Sequence, residues 1–314
     1  MGLLAHHLAG RFQKLGARGW SVEPEFKLFR EDTATAVRFG FNPKVDVMLS
    51  GPSGERVAIE LEISRADPVA NQAKFSVAQA LGEVSPDTVL VSMFSAHVDR
   101  GRRNLCAAFA RQLRAAGGAV FSASLLPFLG GTEVARLNQG GTPAELDALP
   151  AADELRRVLS VVTAQGEFGG HRIHYAGDVT DVVANVWAWN DGMLADDAER
   201  WGLRYVQYFV YEPRQSLFAP AKFCAFIPVA RSRAEPPPAT MTLGLYGELD
   251  EKETRFDGRL AWRHLARRLA FEVVRLEAAD AATRDAFARW HGTHAKRLGL
   301  RTPVQLLLPP PWFR

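Results

Sequence analysis

Only two cysteines, Cys106 and Cys224, occur in 314 residues. Each is embedded in apolar sequence, which argues against a disulfide framework or a thiolate zinc site and marks both as reduced core residues. Long apolar runs are absent too: no stretch reaches the roughly eighteen residues that a membrane helix needs, so no span is expected. The opening Met1-Gly-Leu-Leu-Ala-His-His7 has neither a basic segment nor a small-residue cleavage site. No signal peptide is therefore expected, and the cytoplasm is the default compartment. An excess of either charge is lacking, with 38 Lys and Arg against 35 Asp and Glu. A formal net charge of +3 does not by itself identify a nucleic-acid binder. There is no internal repeat, and Ser50-Gly-Pro-Ser-Gly54 lacks the Gly-Lys-Ser/Thr ending of a phosphate loop, so no nucleotide cofactor is implied.

What is present is a chain with 47% hydrophobic residues, long enough for about two domains. Leu3, Leu4, Leu8, Phe12 and Leu15 predict an amphipathic helix over residues 2–16, with Gly16 and Gly19 as stop signals. A strand is expected at Phe26 to Phe29. Lys44 to Leu49 and Arg56 to Ile63 are β-rich runs joined by turn residues, hence a hairpin. Ala66 to Gly82 reads as a helix, Thr88 to Phe94 as a buried strand, Arg102 to Ala116 as a helix closed by Gly117-Gly118, and Ala119 to Leu125 as a further strand. The order helix, three strands, helix, strand, helix, strand predicts an α/β core with a mixed sheet. Paired glycines and a proline at Leu129 to Thr132 and Asn138 to Pro143 predict loops and a domain boundary, dividing the chain into 1–130 and 131–314. In the second part, Asp153 to Leu159 is expected helical, Tyr205 to Val210 and Phe223 to Val229 are expected as strands around the turn Glu212-Pro-Arg214, Ala234 to Ala239 as a stiff connector, and Gly258 to Ala278 as one long helix.

The chemistry concentrates on the hairpin. Glu60 and Glu62 are one residue apart in a strand and leave the same face, where two like charges repel unless a cation compensates. Asp46, between Val45 and Val47 on the preceding strand, breaks apolar alternation in the same sense. Three carboxylates can thus converge, and hard oxygen ligands of this kind suit Mg²⁺ or Mn²⁺.

The run Pro43-Lys-Val-Asp46, followed after the turn by Ala58-Ile-Glu60-Leu-Glu62, resembles the PD-(D/E)XK nuclease superfamily. The departure is Glu62 where most members carry Lys, and a subgroup of type II restriction endonucleases with Glu-X-Glu is similar in this respect. Ser64 to Phe75 also resembles the helix after the hairpin in restriction-type nucleases. The resemblance covers roughly the first 125 residues. It implies a restriction-endonuclease-like core, a mixed central sheet flanked by helices, with an added C-terminal α+β region. By that resemblance Asp46 and Glu60, helped by the Leu61 main-chain carbonyl, bind the metal. Glu62 orients or deprotonates water or holds a second ion, and Lys74 supplies the positive charge that Lys usually gives from the strand.

Other motifs are weaker. His171-Arg-Ile-His174, His6-His7 and His291-Gly-Thr-His294 lack a third ligand nearby and read as surface or capping histidines. Trp187 and Trp189 would share a face if their segment were a strand, with a base pocket and core packing as the two readings. Phe218-Ala-Pro-Ala-Lys-Phe223 resembles a short segment associated with restriction and homing-type nucleases. Residues 252–314 carry 13 Lys and Arg against 6 Asp and Glu, with Arg263, Arg267, Arg268 and Arg275 expected on one helix. Arg204, Arg214, Lys222, Arg263 and Arg267 are the candidates for DNA contact. The expected protein is a Mg²⁺-dependent restriction or defence endonuclease that cuts double-stranded DNA as a homodimer, with no membrane partner. A nuclease-fold DNA-binding protein without cleavage and a repair or ligand-activated nuclease acting on single strands or RNA are the alternatives.

Overall fold

Strand β3 (Arg56–Glu62) is buried along almost its whole length, on both faces, and this decides the architecture: a sheet with helices on each side. The computed structural model describes residues 2–16, 19–30, 34–64, 68–163, 166–168, 171–195, 203–229, 258–311 and 313. These fall into two compact units, whose described residues are those up to 163 and those from 166 onward.

In the first unit β1 (Ser21–Lys27), β2 (Lys44–Ser50), β3, β4 (Val89–Phe94) and β5 (Val120–Ser124) form one sheet in chain order. β1, β2 and β3 are antiparallel neighbours; β3, β4 and β5 are parallel. The sheet is therefore mixed, as the order of elements predicts. The β2–β3 turn closes through the Gly51 amide on the Glu55 carbonyl (2.7 Å), with Gly54 at φ +90°. Helices α1 (Leu3–Leu15), α3 (Pro68–Ala80) and α4 (Arg100–Ala115) flank the sheet, and Asp99 caps α4 by accepting from the Gly101 amide at 2.8 Å. Met48, Ala58, Leu90 and Val120 form a core with Phe75 and Ala78 of α3 and Ala110 of α4. A short helix, α2 (Ala34–Phe39), which the sequence reading missed, lies between β1 and β2.

The expected loops at 129–132 and 138–143 shrink to short breaks between helices, Leu129 and Gly130 before one and Gly141 and Thr142 before the next. Helices α5 (Gly131–Gly140), α6 (Pro143–Asp147) and α7 (Ala151–Thr163) belong to the first unit, α5 and α7 packing on α1 and α7 on β5, so the division lies near residue 164 rather than 130. The glycines serve close approach instead of a loop. A Cβ at Gly131 would lie 2.8 Å from the Ala96 carbonyl oxygen, and one at Gly141 equally close to that of Leu137. Thr142 and Glu145 then form a reciprocal capping box for α6.

In the second unit β6 (Gly166–Phe168), β7 (His171–Tyr175) and β10 (Phe226–Val229) form one small sheet. β8 (Arg204–Glu212), β9 (Leu217–Pro220), β11 (Glu272–Arg275) and β12 (Leu298–Leu308) form another. Helices α8 (Val179–Ala195), α9 (Ala221–Ala225), α10 (Arg259–Arg268) and α11 (Ala281–His294) complete it. Trp189, Phe209, Phe218, Phe287 and Trp290 interlock in its core. Three expectations change. Trp187 and Trp189 lie on α8, not a strand, so they point apart: Trp189 is buried and Trp187 partly exposed. The expected strand from Phe223 begins only at Phe226, after α9. The expected helix 258–278 ends at Arg268, because Ala270 takes a left-handed φ of +56° and the β-branched Val273 and Val274 pair with β12, leaving Arg275 in a strand. The Ala234 to Ala239 connector lies outside the described residues. Among those described, no helix is long and apolar enough to cross a membrane.

Candidate active site

The β2–β3 ladder ends at Val47 opposite Ile59. One step further, Asp46 stands across from Glu60, and the Leu61 amide donates to Asp46 Oδ2 at 2.8 Å. The carboxylate thus takes a donor at the point where the strands part. On the other side of β2, Glu25 stands across from Asp46 with a left-handed φ of +50°, an uncommon conformation for a residue with a side chain. Its exposed side chain lies 3.4 Å from the Lys44 ammonium.

Glu60 and Glu62 share a face of β3, as strand periodicity requires, and both are buried (3% and 4% exposed). Their partners come from α3. Lys74 Nζ lies 2.9 Å from Glu60 Oε1, and Asn71 Nδ2 donates to Glu62 Oε1 at 2.8 Å. Residues three apart on a helix share a side, so one helix face meets both carboxylates. Burial pushes the Glu60 carboxyl up to about 8; Lys74 pulls it down, and repulsion from Asp46 and Glu62 adds to the rise. Burial likewise raises Asp46, against the Leu61 amide and Lys74. Beside Glu60 the polar row continues across the sheet through Ser92 and Ser122, both buried, and Gln72 Nε2 reaches Ser92 Oγ at 3.4 Å.

Asp46, Glu60 and Lys74 are therefore brought together, with Leu61 supplying a backbone donor. Glu62 is turned to Asn71. Among the described residues no group of three or more Asp, Glu, His or Cys side chains is arranged to hold a metal ion, so the expected convergence of three carboxylates is reduced to a pair. Asn71 is the contributor that sequence reasoning passed over. Its signal was its spacing from Lys74 on the helix following Glu-X-Glu.

The candidate DNA contacts all lie in the second unit. Arg263 and Arg267 are exposed one turn apart on α10. Arg204 on β8 and Lys222 on α9 are half-buried. The Arg214 guanidinium stacks 5.1 Å from the Phe313 ring centre and donates to the Phe313 carbonyl, which ties it to the C-terminal segment. Among the histidines, His174 is fully buried on β7 and His294 packs against Trp290. Both cysteines are buried.

No family model matches the chain, and no curated protein does. Among solved structures it matches a protein of unknown function from Silicibacter pomeroyi, at 21% identity over 51% of this chain and 88% of that one, with a TM-score of 0.19.

Proposed function

We propose that this chain is a Mg²⁺-dependent endodeoxyribonuclease of the restriction or defence kind, built on a PD-(D/E)XK-like core. One observation carries the reading: a buried carboxylate, Glu60, and a half-buried one, Asp46, adjoin where β2 and β3 part, with a single lysine from the next helix on Glu60. The donor set fits a hard divalent ion. Burial holds the Glu60 carboxyl high, and ionising it beside Asp46 with one ammonium at hand would leave a net negative charge that a divalent cation would neutralise.

Asp46 and Glu60 would hold Mg²⁺, or Mn²⁺, with the Leu61 carbonyl as the family resemblance implies. Bound there, the ion would neutralise charge on the phosphate and lower the pKa of a water. Asp46 keeps its orientation through the Leu61 amide. Lys74, turned from Glu60, would offer its ammonium to the phosphate under attack. Glu62, steadied by Asn71, would orient the water and take its proton. Cutting both strands with one site per chain favours a symmetric pair of chains. The basic α10 surface with Arg263 and Arg267 suits phosphate contact.

The test is incubation of the full chain with plasmid DNA in Mg²⁺ or in EDTA. Nicked, linear or fragmented DNA is expected in Mg²⁺ alone. Intact plasmid in both, together with DNA binding that needs no metal, would leave a binding protein without cleavage.

A further inference from the structure

Three large apolar side chains stand out of the first unit within five residues: Val37 (81% exposed), Phe39 (45%) and Phe41 (57%). They lie on α2 and the turn after it, in the connection from β1 to β2. This connection is firmly based. Leu28 and Phe29 are buried in the sheet core, Ala36 packs against it, and Asn42 bonds the Phe29 backbone twice, accepting from its amide at 3.1 Å and donating to its carbonyl at 2.8 Å. Phe29 supports the Phe39 ring (centroids 5.5 Å apart), and Phe39 meets Phe41 edge-on at 6.5 Å. A clamped base that holds aromatic rings outward is a built surface, since an exposed apolar cluster otherwise gains by folding inward.

Topology places this surface beside the carboxylates. β1 and β3 both run antiparallel to β2, so the β1–β2 connection, the start of β2 and the end of β3 lie at one end of the sheet. Phe41 precedes Asp46 by five residues, a reach of at most roughly 17 Å of extended chain. Exposed cations flank the rings along the chain: Lys27, Arg30, Arg38 and Lys44, with Arg30 paired to Glu83 and Lys44 to Glu25. Rings among cations suit a chain of phosphates carrying flat bases.

We infer that Phe39 and Phe41 stack on unpaired bases of the polynucleotide whose phosphate lies at Asp46 and Glu60, so that the enzyme engages single-stranded or locally opened DNA. The inference rests on the nuclease reading for its ligand. Bases within a closed duplex hide their faces, so the rings favour strands already open.

The test is binding, measured with the full chain in EDTA, of three fluorescent oligonucleotides of equal length: oligo-dT, the same backbone made abasic, and a duplex. The wild-type chain is expected to hold oligo-dT at least about 10-fold tighter than the abasic strand, and the F39A/F41A variant to lose that difference. F39W/F41W keeps the stacking faces and should retain it, with its tryptophan emission quenched by oligo-dT. Equal affinity of the wild-type chain for dT and abasic strands overturns the inference. So does a F39A/F41A variant that turns from dimer to monomer in sedimentation with its preference for dT intact, which would make the rings a contact between copies. Base-dependent binding without cleavage in Mg²⁺ keeps the inference and removes the nuclease reading; cleavage without base dependence does the reverse.

Discussion

Glu60→Gln is expected to make the metal-free protein more stable than wild type at alkaline pH. The Glu60 carboxyl is raised from its ordinary 4.5 to about 8 in the folded chain, chiefly by burial. Between those two values the folded state binds the proton that the unfolded state has released, so stability falls as pH rises. The loss begins near pH 4.5 and is complete above pH 8, and the shift corresponds to about 5 kcal/mol. That is a large part of the total stability of a typical domain, about 5–15 kcal/mol. Glutamine has no charge to bury, so the variant lacks this slope. Urea unfolding at pH 5 and pH 9 checks it: the two proteins should nearly coincide at the lower pH and separate by several kcal/mol at the higher. Added Mg²⁺ should narrow the gap at pH 9 by stabilising the wild-type chain alone. Parallel pH profiles for the two proteins would show that Glu60 is not held above its ordinary range.

Asp46→Asn is expected to reduce cleavage by about 10³-fold or more, since removing one of two carboxylate ligands removes several kcal/mol of charge stabilisation from the reaction. Asparagine keeps the size of the side chain and an oxygen for the Leu61 amide, so the strand junction should persist. Affinity for DNA in EDTA should therefore be retained or increased, because the change takes a negative charge from the surface proposed to face phosphate. Single-turnover cleavage in Mg²⁺, with binding measured beside it, separates the two effects. Cleavage at the wild-type rate would remove Asp46 from the site.

Much of the first unit is legible in its sequence because single strands carry the signals. The hairpin follows from two β-rich runs around Gly-Pro-Ser-Gly, and Glu60 and Glu62 share a face because strand periodicity leaves no alternative. What a strand cannot reveal is which partner each carboxylate meets. Asn71 reaches Glu62 and Lys74 reaches Glu60 only because α3 docks on that face, which depends on Phe75 and Ala78 entering the core. Glycines misled where they serve packing. Gly131 and Gly141 look like loop punctuation, yet each permits a helix end to lie against a carbonyl. The break after Arg268 carries no glycine or proline, so helical periodicity runs through it; the left-handed turn at Ala270 and the pairing of Val273 and Val274 with β12 end the helix. The exposed Phe39 and Phe41 gave no periodic signal, because α2 is too short to have one.

Whether Asp46 and Glu60 together hold a divalent ion can be read from Mn²⁺ titration calorimetry at pH 7, in two buffers of different ionisation enthalpy. A Glu60 carboxyl near 8 is mostly protonated at pH 7, so an ion that takes it as ligand must displace the proton. Wild type is predicted to bind Mn²⁺ with release of close to one proton, and the D46N/E60Q double variant to bind none. Equal Mn²⁺ binding by both proteins, or no binding by the wild-type chain, would show that Asp46 and Glu60 do not form a metal site.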